Sequence, residues 1–272
     1  MFPRLKKKEF SPMRILAYSI AWSLACSITV SAAAIVGDSP ENKWEVSSPI
    51  LSAGPEGSFD EISVKDPSVV FYKDKWHVFY TARGKGEYTT GYVSAKKLSD
   101  LKSAQRHELK MLRGKSRYGC APQVFYYKPQ GKWYLIFQNW DSNYQPVFST
   151  TTMISKPETW SEPKPLLLKD TNAKWIDFWV ICTTEKAYLF YTEDHNSVIL
   201  RSTSLKDFPN GWSKGKMVFK DVHEAVHIYK VKGRTEYHMI YELNKGPYEL
   251  LPWKLGIMSK TESRVEPDMV AD

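Results

Sequence analysis

The chain has 272 residues, and its 42% hydrophobic and 25% charged residues are typical of a folded globular protein of one large or two small domains. About half of the net charge of +8 lies before residue 35, and no later basic cluster is interleaved with aromatic residues, so we expect no nucleic-acid partner. Three cysteines exclude a disulfide scaffold. The 10 Trp and 16 Tyr favour a β-rich protein that binds sugars.

The N-terminal residues have the pattern of an export signal. A basic stretch is followed by the apolar run Ile15–Val30 and by small residues up to Ala34, which predicts a signal peptide over residues 1–34. The apolar run is short for a bilayer span, so we expect a secreted product, extracellular or periplasmic, with no membrane span after cleavage. A membrane anchor and lipidation at Cys26 are the alternatives.

Four similar segments organise the rest of the chain. Each has a β-branched and aromatic strand, a short polar turn and a second strand, which predicts a hairpin. The second strands begin near Trp76, Trp133, Tyr188 and Tyr237, about 50 residues apart. One such sheet cannot bury both of its faces, so this period predicts an all-β fold of stacked blades, a β-propeller. A generic β-sandwich is the alternative.

One position of the repeat carries an acid three times out of four. Asp66, Asp177 and Glu224 each begin the first strand of a repeat, and the second repeat has Ala121 there. Because the inner strands of a propeller line its channel, we expect the three acids to converge on one pocket. Acids in apolar strands are costly without a partner or a function. Lys65 is either the ion-pair partner of Asp66 or a substrate contact.

Several carboxyl groups in one aromatic-walled pocket suit glycoside hydrolysis. One of them must be protonated to donate to the leaving oxygen, and another must be ionised to activate water or to attack directly. A third nearby raises the pKa of the acid by like-charge repulsion. Trp140, Trp175 and Trp179 either wall this pocket or belong to the core.

The residues around these acids resemble glycoside hydrolase family 62, from residue 60 to about residue 245. The run from Trp175 to Cys182 is long and specific, whereas the Asp66 motif is shared with related five-bladed families. The segments that carry the resemblance are Lys65–Val70, Ala121–Phe125, Lys132–Leu135, Trp175–Cys182, Glu224–Ala225 and Tyr229–Gly233.

The resemblance implies a five-bladed β-propeller over residues 41–272. It also implies a hydrolase that removes α-L-arabinofuranosyl side chains from arabinoxylan with inversion. Carried over by position, Asp66 is the general base, Glu224 the general acid, and Asp177 the residue that tunes and orients that acid. A structural calcium ion in the central channel is a further expectation, with ligands that the sequence does not place. The predicted substrate contacts are Lys65, Trp140 and Pro146.

Two features depart from the family pattern. His223 precedes Glu224 where an apolar or aromatic residue is expected, and a basic neighbour would lower the pKa of the acid. Only about half a repeat follows Gly246, so we expect an incomplete last blade, weak activity and poor stability.

Two other functions stay open at this point. A related five-bladed arabinanase, xylosidase or fructosidase is one, although the Trp175–Cys182 motif argues against it. A non-catalytic sugar-binding propeller is the other; the short C-terminal part argues for it and the three acids against it. Export would also allow Cys120 and Cys182 to oxidise, but the sequence does not show whether they pair.

Overall fold

The computed structural model describes residues 47–86, 88–113, 118–139, 145–224, 226–230, 236–242 and 255–261. The predicted signal peptide lies outside these residues. Strands dominate the described part, and its helices are short 3₁₀ turns, which confirms the all-β class. Within that part, no helix has the length and hydrophobicity to cross a membrane. The turns are Leu98–Ser103, Lys110–Arg113, Lys128–Gln130 and Pro157–Thr159.

The described strands form four antiparallel sheets, each paired in chain order. The first contains β1 (Ser63–Tyr72), β2 (Lys75–Arg83), β3 (Tyr88–Ala95) and β4 (Arg106–Glu108). The second contains β5 (Cys120–Tyr127), β6 (Lys132–Gln138), β7 (Val147–Thr151) and β8 (Lys164–Pro165). The third contains β9 (Trp175–Cys182), β10 (Lys186–Glu193), β11 (Ser197–Ser204) and β12 (Lys216–Lys220). The fourth contains β13 (His227–Lys230), β14 (Glu236–Glu242) and β15 (Leu255–Thr261).

The four predicted hairpins are the first two strands of the four sheets. The turn between β1 and β2 shows why the chain forms a hairpin at this point. Its two central residues, Lys73 and Asp74, have φ angles of 48° and 59°. Two left-handed central residues make a type I′ turn, whose twist matches that of the flanking strands.

Apolar clusters join consecutive sheets. One contains Phe79 of the first sheet and Leu135 of the second, and another contains Phe125 of the second and Val180 of the third. Side chains of the third and fourth sheets meet in the same way around Ile228. Each sheet therefore buries a face against the next sheet along the chain, as the repeat predicted.

The first strands of the four sheets are also neighbours. The Ser68 hydroxyl of β1 accepts a 2.9 Å hydrogen bond from the Val124 amide of β5. Gln123 of β5 binds the backbone of β9, and the Trp179 indole of β9 donates to the Ile228 carbonyl of β13 at 2.8 Å. The inner strands β1, β5, β9 and β13 thus follow one another in space as they do along the chain.

The segment before β1 covers the other face of the first sheet. Leu51 and Phe59 pack against the cluster on that face. Asp60 is fully buried and accepts hydrogen bonds from the Tyr80 hydroxyl at 2.9 Å and the Arg106 guanidinium at 2.7 Å. A buried carboxylate paired in this way fixes residues 51–60 to the sheet.

The described strands account for four sheets. The segment Leu255–Thr261 pairs with β14 as the third strand of the fourth sheet. The fifth blade and its completeness therefore stay a prediction.

Candidate active site

Asp66 and Asp177 occupy the same structural position in their sheets. Each lies in the inner strand at a point where the pairing register shifts, and their φ angles are 51° and 57°. Ala121 of the second sheet has the same register shift and a φ of 49°. Left-handed backbone is uncommon outside glycine, so the repeated position is a β-bulge that turns its side chain out of the ladder. Asp177 is accordingly half-buried between the buried Ile176 and Phe178.

Lys65 forms an ion pair with one of the predicted catalytic acids. Its ammonium is 3.8 Å from the Asp66 carboxylate and 5.3 Å from the centre of the Tyr88 ring. Burial works to lower the pKa of Lys65, but Asp66, with Cys120, Tyr88 and Glu224, outweighs it and raises that pKa. Because Glu224 acts on Lys65, the fourth sheet brings its acid to the Asp66 side of the molecule.

Glu224 precedes its strand instead of beginning it, since β13 starts at His227. Two backbone hydrogen bonds hold it against the end of β14. The Glu242 amide donates to the Glu224 carbonyl at 2.9 Å, and the His223 amide donates to the Glu242 carbonyl at 2.8 Å. The Glu224 side chain stays 43% exposed, so a substrate oxygen can reach it.

Glu242 is a fourth acid in this region, and the sequence analysis missed it. Burial raises the pKa of Glu242, and the carboxylates of Glu224 and Asp66 add to that rise, while His223 opposes it. Glu242 ends the second strand of its sheet, as Glu193 does in the third sheet. That shared position at the end of a second strand was the available signal, and it lies outside the first strands that carry the predicted acids.

His195 is a second residue that the sequence analysis missed. It lies in the turn between β10 and β11, where Asp194 and His195 have φ angles of 52° and 50°. Its Nδ1 atom is 3.2 Å from the Glu224 carboxylate, and its ring centre is 5.0 Å from that of His223. No repeat pattern marks a turn histidine, so only the tertiary structure shows this contact.

The remaining predicted site residues lie in different surroundings. Trp140 is outside the described residues. Pro146 is buried just before β7, and its carbonyl accepts a 2.9 Å hydrogen bond from the Leu166 amide. Trp175 and Trp179 are 0% and 5% exposed, which assigns both to the core instead of the pocket wall.

Cys120 and Cys182 are both free thiols. Burial raises the pKa of each thiol to about 12. Both therefore stay protonated at neutral pH and are poor nucleophiles.

One group of described residues could hold a metal ion, namely His195, His223 and Glu224. Calcium takes six to eight oxygen ligands, so a set with two imidazoles does not suit it. The calcium ion expected in the channel stays a prediction.

Comparison with known proteins matches the sequence model of "Glycosyl hydrolase family 62" to residues 43–246. The chain belongs to glycosyl hydrolase family 62. This confirms the resemblance read from the sequence.

Individual family 62 relatives agree with this assignment. The chain is 35% identical over 223 residues to alpha-L-arabinofuranosidase C of Cellvibrio japonicus, covering 78% of this chain and 33% of that protein. The chain thus spans about a third of the length of this curated relative. Its fold is similar to that of the catalytic domain of the Coprinopsis cinerea GH62 alpha-L-arabinofuranosidase, with a TM-score of 0.63 and 28% identity over 76% of this chain and 72% of that one. A GH62 hydrolase solved in complex with xylotriose gives 0.61 and 26% over 72% and 65%.

Proposed function

We propose that this family 62 chain is an inverting α-L-arabinofuranosidase that removes arabinofuranosyl side chains from arabinoxylan. The observation that carries the proposal is that Lys65 pairs with Asp66 at 3.8 Å while Glu224 contributes to the pKa shifts of both Lys65 and Glu242, which indicates that the two acids share one region. A pair of carboxyl groups in one partly exposed site is the equipment for glycoside hydrolysis. The relatives support the substrate: one is named an arabinofuranosidase, and another was solved with xylotriose.

In the proposed reaction the two acids work on opposite faces of the sugar. Asp66 takes a proton from a water molecule, whose oxygen forms a bond to the anomeric carbon. The bond from that carbon to the xylan oxygen breaks, and Glu224 gives its proton to that oxygen. The products are free arabinose with inverted configuration and xylan with a free hydroxyl where the side chain was attached.

The neighbouring groups have supporting roles in this proposal. Asp177 projects from a bulge equivalent to that of Asp66 and orients the acid. The raised pKa of Lys65 keeps its ammonium charged, so that it can donate a hydrogen bond to a sugar hydroxyl. Trp140 and Pro146 complete the proposed set of substrate contacts.

The proposal extends to the architecture and location of the protein. Four sheets that follow one another in chain order support a ring of five blades over residues 41–272, with a structural calcium ion in its channel. The basic, apolar and small-residue pattern of residues 1–34 supports export and a secreted enzyme.

The experiment is to incubate the protein with arabinoxylan, linear arabinan and unsubstituted xylan and to quantify the released sugars. Release of free arabinose from arabinoxylan is the expected result. A parallel binding measurement on the same polysaccharide tests the sugar-binding alternative, because binding without release of arabinose would contradict the proposal. Release of arabinan fragments or xylose would instead favour one of the related five-bladed enzymes.

A further inference from the structure

The proposed general acid belongs to a group of three residues that could bind a transition-metal ion. His195, His223 and Glu224 each offer a ligand atom, and these atoms lie within 4.8 Å of one another. Two imidazoles and one carboxylate are the ligands that zinc takes in sites that keep a fourth position for water. We propose that these three residues bind a transition-metal dication of the zinc type and that the bound ion blocks Glu224.

The backbone brings the two histidines together. The turn that carries His195 is held by the Asn196 amide, which donates to the Glu193 carbonyl at 3.1 Å. The Asn196 carbonyl then accepts a 3.2 Å hydrogen bond from the Val222 amide, next to His223. The ligands therefore come from two segments of chain that are fixed to each other, which lowers the entropic cost of assembling a site.

The side chains leave room for an ion. Zinc–ligand bonds of about 2.0–2.2 Å place tetrahedral ligand atoms roughly 3.4 Å apart, so the widest pair must close by up to about 1.4 Å. His195 and Glu224 are 28% and 43% exposed, and such side chains can make that movement. The same exposure gives the ion a path from solvent.

Lys174 sets the tautomer of the neutral His195 ring. Its ammonium lies 3.1 Å from Nε2 of His195, and an ammonium only donates hydrogen bonds, so Nε2 accepts and Nδ1 carries the proton. The Glu224 carboxylate lies 3.2 Å from Nδ1, although the two make no hydrogen bond. A metal ion at Nδ1 must displace the proton to Nε2, which ends the contact with Lys174. Lys174 therefore competes with the ion.

The consequence for catalysis rests on the proposed function. A carboxylate that ligates a dication gives up the lone pair that would carry its proton, so Glu224 could no longer act as the acid. The binding itself does not depend on any catalytic role.

The first test is calorimetric titration of the untagged protein with zinc chloride, after dialysis against chelator. We expect one ion per chain, at least tenfold weaker binding in His195→Ala and His223→Ala, and no such loss in the control His107→Asn, which lies in β4 beside Tyr92. Lys174→Gln should bind zinc more tightly, because the amide can accept from Nε2. Absence of binding, or wild-type affinity in both alanine variants, would overturn the site. Weaker or unchanged affinity in Lys174→Gln would overturn ligation through Nδ1.

The second test measures arabinose release with and without zinc, as a ratio within each variant. Zinc should inhibit the wild type and the His107→Asn control, and it should inhibit His195→Ala at least tenfold less. Equal inhibition of all three would overturn the block of Glu224. If the protein releases no arabinose at all, the proposed function fails, whereas the titration still decides the metal site.

Discussion

Gln123 and Val180 exchange two hydrogen bonds between the second and third sheets. The Gln123 amide nitrogen donates to the Val180 carbonyl at 2.7 Å, and the Val180 amide donates to the Gln123 carbonyl oxygen at 2.6 Å. Both residues are buried, so neither bond competes with water. The side chain of Gln123 thus joins two neighbouring inner strands, β5 and β9, as one more rung of pairing between them.

Gln123→Ala should lower the free energy of unfolding by about 2–4 kcal/mol, because it leaves two buried backbone groups of Val180 unsatisfied. Denaturant unfolding followed by tryptophan fluorescence measures this loss. Gln130→Ala is the matched control, since Gln130 also makes two hydrogen bonds, to Phe208 and Tyr134, but is exposed. Equal losses in the two variants would show that the burial of the Gln123 hydrogen bonds does not determine the loss in free energy of unfolding.

Asp66→Asn and Glu224→Gln should each reduce arabinose release by a factor of about 10²–10⁴ or more, because each removes a proton-transfer group. The fold should be unaffected, since Asn also tolerates the left-handed φ of residue 66. Asp74→Asn, another acid at positive φ in the first sheet, should retain full activity. Near wild-type turnover in either of the first two variants would remove that residue from the proposed mechanism.

Asp177→Asn tests the third acid. We expect a lower rate and a shift of one limb of the pH–rate profile, because the residue is proposed to orient and tune Glu224 without exchanging a proton with the substrate. Steady-state kinetics across pH measure both effects. A rate loss as complete as that of Asp66→Asn would assign Asp177 a direct chemical role.

The stereochemical prediction concerns the space between Asp66 and Glu224. An inverting enzyme needs room for a water molecule, so the two carboxyl groups should lie about 6.5–9.5 Å apart in a crystal structure with bound arabinose. Proton NMR during early turnover should show the β-anomer first. A separation near 5 Å, or the α-anomer first, would indicate a retaining enzyme instead.

Glu242→Gln should raise the melting temperature at pH 7. The pKa of Glu242 is raised above its ordinary value of 4.5 by burial and by Glu224 and Asp66, so ionisation is easier in the unfolded chain than in the folded one. The resulting penalty on stability appears as the pH rises above about 4.5 and persists at neutral pH, and an uncharged amide removes it. Below that pH the gain should disappear.

The control for Glu242 is Glu185→Gln, an exposed acid in the turn between β9 and β10. This variant should melt like the wild type at both pH values. If Glu242→Gln were less stable than the wild type at pH 7, the carboxylate of Glu242 would be stabilising the fold, contrary to the electrostatic argument.

The sequence by itself determined the fold class, the hairpins and the special position of Asp66 and Asp177. These features are local or periodic: alternating β-branched and aromatic residues set the strands, and the repeat carries one bulge position through three sheets. Family membership followed from the same residues, because the motif around Asp177 is long and specific.

Only the tertiary structure decided what surrounds Glu224. Glu242 arrives from the end of β14 and His195 from a turn of the third sheet, and both approach through hydrogen bonds between distant segments. The burial of Trp175 and Trp179 was decided in the same way, by packing between sheets. An electrostatic or packing contact depends on distance in space, and a repeat pattern along one chain does not encode which turn of a neighbouring sheet comes to lie beside a given carboxylate.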